Sequence, residues 1–398
     1  MQKSTIDEEV PEIKLKGLEP KAWEDRKPEQ RLTKHQRFIF VDQFRGMTVL
    51  FLTIATVTWI LGKNDPTLSI PFLDHGWQFF DPGRTTWNWL LMENQMYTII
   101  DLGSSLFMFI LGVTIPISFR SRQAKFGTGG AFLRMLLRVG IFIGLNTLQD
   151  VVGVITDGDI LHYGGLLFNE TLPALAWGTA LGTVGVWLVK NPDRRFLIVI
   201  GLNVLHGTLY LIPELSAFRH GSPVPPTVWM GSNEFFDYYM IPWDMISFAS
   251  IAIAGTCFWD WFNPDKPVES IRSRHLPIAM YSLIACFIVA WFIPTEHHDL
   301  TVSQNLLAIS SGYFLLVLFF GFEHVFKFEF PLLTPLGRNA LLLFIMQLIP
   351  GELFQVLGLY DLVTPETAWF GLVLCALAVT VIGIVGWLLH RKKIYLRL

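Results

Sequence analysis

The sequence predicts an all-α, polytopic membrane protein: a transmembrane helical bundle of about ten spans with the N-terminus and C-terminus both cytoplasmic. Three observations carry this expectation. Hydrophobic residues make up 52% of the 398-residue chain and charged residues only 16%, against roughly a quarter charged in soluble domains. Apolar runs long enough to cross a bilayer recur along the chain. Lys and Arg gather in every second loop between those runs.

A bilayer core of about 30 Å takes roughly 20 apolar residues as a helix. The runs that qualify cover 46–62, 101–119, 131–150, 172–189, 195–213, 241–261, 277–293, 302–322, 333–357 and 368–390. The fourth run carries Gly178 and Gly182 at GxxxG spacing, which suits close helix packing. Residues 1–37 are polar and mixed in charge, without the apolar stretch of a secretory signal. They read as a cytosolic tail, and 38–398 as the transmembrane domain.

Orientation follows from the cations in short loops. Arg31, Lys34, Arg37 and Arg45 precede or open the first run, and Arg120, Arg122 and Lys125 follow the second. Lys190, Arg194 and Arg195 follow the fourth, Lys266, Arg272 and Arg274 the sixth, and Lys327 and Arg338 the eighth. Arg391, Lys392, Lys393 and Arg397 close the chain. Of the alternate loops, 151–171, 294–301 and 358–367 contain no Lys or Arg, loop 63–100 has Lys63 and Arg84, and loop 214–240 has only Arg219. Positive charge stays on the cytosolic side, so both ends are placed there. The expected location is a bacterial inner membrane and the first partner is the lipid bilayer.

Several functions fall away. A net charge of −3 carries no partner signal, and no nucleic-acid partner is expected. Cys257, Cys286 and Cys375 sit singly in apolar runs, without a zinc-type spacing, and read as small core residues. The run Glu296-His297-His298-Asp299 sits on a short loop where adjacent histidines rarely close a metal site, so no metal is expected. Assembly as a homodimer stays open.

Ionisable groups in a span are the informative residues, because each costs about 2.5–3.5 kcal/mol on insertion scales. Asp42 and Arg45 stand i, i+3 at the mouth of the first run, either as a structural ion pair or as part of a site. Asp101 opens the second run, as a helix cap or a functional carboxylate. Arg134 and Arg138, spaced i, i+4, either snorkel to lipid phosphates or form a cationic site for a phosphorylated ligand. His75, in the first external loop, has an imidazole that can act as base or nucleophile near neutral pH.

Certain stretches resemble the heparan-α-glucosaminide N-acetyltransferase-like membrane acyltransferases. They are Val41-Asp42-Gln43-Phe44-Arg45-Gly46, then Asp101-Leu102 with Phe107-Met108-Phe109-Ile110-Leu111-Gly112-Val113, and Pro335-Leu336-Gly337-Arg338-Asn339-Ala340-Leu341. The resemblance implies transfer of an acetyl group from cytosolic acetyl-CoA to an amino sugar or glycan acceptor across the membrane. It implies His75 and Asp101 as catalytic residues. Asp42, Arg45, Arg134, Arg138, Arg338 and Asn339 would then lie on the side of the CoA phosphates. The alternative reading is a multi-pass transporter or flippase of a small or lipid-linked solute. Broken helices or an inverted repeat would favour that alternative.

Overall fold

The structure, a computed structural model, describes residues 38–64, 102–157, 171–211, 243–293, 295, 300–364, 367 and 369–395. Helices carry the described chain, and there is no strand among the described residues. In order they are α1 (Ile39–Asn64), α2 (Gly103–Asp157), α3 (Thr171–Leu188), α4 (Pro192–Leu211), α5 (Trp243–Trp261) and α6 (Pro267–Ser270). A π-helical turn (Ile271–His275) leads into α7 (Leu276–Ala290), followed by α8 (Val302–His324), α9 (Leu333–Arg338), α10 (Ala340–Met346), α11 (Leu348–Val356) and α12 (Trp369–Arg391).

Over the described residues each predicted run falls mostly on helix, but the elements are not ten uniform rods. Six helices among the described residues are long and apolar enough to cross a membrane: Ile39–Thr58, Gly103–Leu148, Thr171–Leu188, Pro267–Ala290, Val302–His324 and Trp369–Arg391. The second of these holds two predicted runs. At Gly127 the backbone leaves the helix with φ 71°, a left-handed conformation glycine adopts without a Cβ penalty. The second arm folds back on the first, bringing Phe119 and Phe132 edge to face at 5.4 Å. The ninth run departs furthest from expectation, because it is split into α9, α10 and α11.

Small residues set the tightest approaches. A Cβ at Gly112 would overlap the Ala252 carbonyl, and one at Gly255 the Phe109 carbonyl, so α2 and α5 meet backbone to backbone. Gly178 lies against Phe248 of α5, and Gly182 against Ile115 of α2, giving the GxxxG stripe two partners. The same device joins α1 to α9: Gly46 faces the Leu333 carbonyl and Gly337 the Asp42 carbonyl, with no room for a side chain at either place.

Helix α8 runs through the core. Its Tyr313 donates to the Ala254 carbonyl of α5 at 3.0 Å and its Ser310 to the Ala279 carbonyl of α7 at 2.8 Å. Phe109, Phe258 and His275 pack around Tyr313. Large apolar side chains lie exposed on the second arm of α2 (Leu133, Leu136, Leu137), on α4 (Leu197, Ile200, Val204), on α7 (Ile284, Ile288) and on α12 (Val381, Ile384). Faces of that composition suit lipid, where burial in hydrocarbon replaces burial in protein. The three cysteines are buried and form no disulfide, as core residues.

Candidate functional site

The α1–α9 seam gathers buried polar groups that include a carboxylate, Asp42, with Gln43, Thr334 and Asn339. The close approach at Gly46 and Gly337 presses Asp42 against the end of α9. Asp42 is 2% exposed. Arg45 Nη1 lies 3.4 Å from its Oδ1, and Arg338 Nε lies 4.0 Å from its Oδ2. The i, i+3 pairing expected from the sequence is therefore present, with a second arginine added from α9. Arg338 also reaches His390 at the end of α12, 3.3 Å away. At the start of α1 the Phe40 amide donates to Glu323 Oε2 of α8 at 2.7 Å, supplying one of the partners a helix N-terminus lacks.

The helix breaks directly after Arg338. Asn339, buried at 2% exposure, has φ −120° and ψ 24°. Its amide donates to the Leu336 carbonyl at 3.1 Å and its carbonyl accepts from Leu343 at 3.0 Å, so the backbone is satisfied around the interruption. A second boundary follows at Gln347, between α10 and α11. Gln43, one residue from Asp42, is fully buried, and neither end of its side-chain amide meets a hydrogen-bond partner among the described residues. Leaving such a group unsatisfied costs about 1–3 kcal/mol.

The structure sorts the remaining sequence candidates. Arg138 is half-buried and lies within electrostatic reach of Arg45 and Arg122, so it joins the seam's cationic surround. Arg134 is exposed, with its guanidinium over the Phe126 ring at 3.4 Å. His75 and Asp101 lie outside the described residues, as do His297 and His298. No cluster of His, Cys, Asp and Glu suited to a metal occurs among the described residues.

Two polar assemblies went unread in the sequence. Asp260 of α5 takes a bidentate pair from Arg120 at 2.7 and 2.6 Å and a further bond from Arg195 of α4. Arg195, read from sequence as a loop cation, is fully buried. Its one signal was an Asp at the end of an apolar run near two loops rich in Arg. At the other end of the bundle a neutral network links three helices. Gln304 donates to Ser105 at 3.2 Å, Asn305 to Ser247 at 3.1 Å, and Ser247 to the Leu300 carbonyl at 2.8 Å.

Compared with known proteins, the chain matches no family model. It is 25% identical over 198 residues to the "Putative metabolite transport protein YfiG" of Bacillus subtilis (strain 168), a match covering 47% of this chain and 36% of that protein. The chain thus spans little more than a third of the length of the curated relative it matches.

This finding corrects the acyltransferase resemblance. No family model supports that family, and the relative found carries a transport name. The acetyl transfer expected from the resemblance is withdrawn, and the acetyl-CoA donor is left without support. The physical reason lies in the motifs, two of which have a structural use in any packed helical bundle. Asp42-Gln43-Phe44-Arg45-Gly46 supplies an ion pair and a small residue for a close crossing. Leu336-Gly337-Arg338-Asn339 supplies the matching small residue and a helix break.

Proposed function

We propose that the chain is a membrane transporter for a small polar metabolite. In this reading it has ten spans, both ends in the cytosol, and a place in a bacterial inner membrane. The observation that carries it is the interruption at Asn339 next to buried Asp42. Irregular backbone within a bilayer is tolerated where it is buried in protein or lines a cavity. Transporters use such discontinuous helices to offer backbone and side-chain polar groups to a solute.

The surrounding residues fit this use. Asp42, Arg45 and Arg338 offer charge of both signs, and Gln43 offers an amide with donor and acceptor to spare. A passing solute would supply the missing partners and then leave, as transport requires. The transport name of the distant relative supports the same class and is silent on the substrate.

The test is uptake by the purified protein in liposomes, with a panel of sugars, polyols, sugar phosphates, carboxylates and amino acids followed by mass spectrometry. At least one solute class should enter ten or more times faster than into protein-free liposomes. A panel in which every solute enters at the protein-free rate contradicts the reading.

A further inference from the structure

The outward face of α12 changes character at its C-terminal end. Leu377, Val381, Ile384 and Leu388 are exposed and recur every third or fourth residue, the spacing of one helix face. Gly383 and Gly386 lie on the opposite face, against Leu332 and Leu336 at α9. Arg391 and Lys392, one turn beyond Leu388, continue the apolar stripe as an exposed basic one, and exposed Lys393 follows. Trp387 is exposed beside the stripe, with the Arg391 guanidinium carbon 5.2 Å from its ring centroid. A Trp where a membrane helix passes from apolar to polar sits at headgroup level.

These cations are not used to close the helix. The last carbonyls accept from the backbone instead: Leu388 from the Lys392 amide at 3.0 Å, Leu389 from Ile394 at 2.9 Å and His390 from Lys393 at 3.0 Å. Among the described residues no carboxylate pairs with Arg391, Lys392 or Lys393. Lys393 has φ 55°, a left-handed conformation in which glycine is the usual residue after a helix. A lysine there carries a steric cost and keeps a third cation where the apolar stripe ends. We propose that this end of α12 binds the headgroup of an anionic phospholipid, with Arg391, Lys392 and Lys393 on its phosphate and the apolar stripe along its acyl chains. Basic residues at the end of a membrane helix attract anionic lipid. The inner side of the same turn is tied to protein, since His390 lies 3.3 Å from Arg338 and 3.2 Å from the Tyr395 hydroxyl. The site stands whether or not the chain transports a solute.

The experiment reconstitutes the full chain in nanodiscs of equal phosphatidylglycerol and phosphatidylcholine, repurifies it in neutral detergent and measures the retained lipid by mass spectrometry. The wild type should retain about three times more phosphatidylglycerol than phosphatidylcholine. The triple variant Arg391→Gln, Lys392→Gln, Lys393→Gln should lose about half or more of that phosphatidylglycerol. Lys266→Gln should match the wild type, because Lys266 pairs with Glu269 at 3.1 Å on the connection between α5 and α6. Lys393→Gly, which suits the left-handed backbone, should melt no lower than the wild type in detergent and still retain less phosphatidylglycerol. A lysine kept only for the helix end would leave lipid retention unmoved. The proposal is overturned if the wild type shows no preference for phosphatidylglycerol, if the triple variant or Lys393→Gly retains it in full, or if Lys266→Gln loses as much as the triple variant.

Discussion

Asp42 and Asp260 are both buried carboxylates set between two arginines, yet they are held in different ways. Asp260 is saturated: Arg120 grips it with both guanidinium nitrogens, and the fully buried Arg195 closes on it from α4. Asp42 has its arginines at 3.4 and 4.0 Å, and it lies against a helix break. The first arrangement ties α2, α4 and α5 together. The second sets a buried carboxylate beside irregular backbone. Burial of a charge alone therefore does not mark a site, because the tighter of the two pairs is the structural one. A buried pair becomes a candidate for function when the backbone beside it is irregular.

The largest expected effect probes the tight pair. Asp260→Ala strands Arg195 in the core without a counter-charge, which costs about 3–5 kcal/mol. Thermal unfolding in detergent should show a severely destabilised or aggregated protein. A variant as stable as the wild type would break the comparison, since Asp260 would then be no clamp.

The next effect probes the seam that positions Asp42. Gly337→Ala places a Cβ onto the Asp42 carbonyl, and forced overpacking of this kind costs about 1–3 kcal/mol. The melting temperature should fall and any transport rate with it. An unchanged melting temperature would mean that α1 and α9 are not locked at this crossing. The smallest effect belongs to the neutral network at the opposite end. Ser105→Ala removes one hydrogen bond to Gln304, worth about 1 kcal/mol, and should leave uptake intact. Loss of uptake in that variant would move the site toward the neutral end and sharpen the comparison against us.

Much of the helical layout was legible because span length is a local property. The runs behind α1, α8 and α12 are continuous and apolar, and the charged stretch from Arg120 to Lys125 separates the two arms of α2. The break in the ninth run was not legible: one Arg-Asn pair in an apolar stretch reads as a polar point on an intact helix. What interrupts the helix there is the non-helical backbone at Asn339, which no run of residue types displays. The Asp260 clamp was hidden for a similar reason. Arg195 and Asp260 are 65 residues apart, and loop charges read along the chain carry no distance. Of the site, the Asp42–Arg45 pair was readable from i, i+3 spacing, whereas the addition of Arg338 required the crossing of α1 and α9. Short motifs misled most, since apolar helices with polar ends resemble one another across unrelated membrane proteins.

The central claim is that the buried carboxylate at the helix break serves passage rather than stability. Its most direct test is Asp42→Asn, which removes the charge and keeps the shape, measured side by side for melting temperature and for liposome uptake of the solute that the wild type carries. The account predicts a melting temperature within a few degrees of the wild type and uptake at the protein-free rate. Full uptake by Asp42→Asn would contradict it.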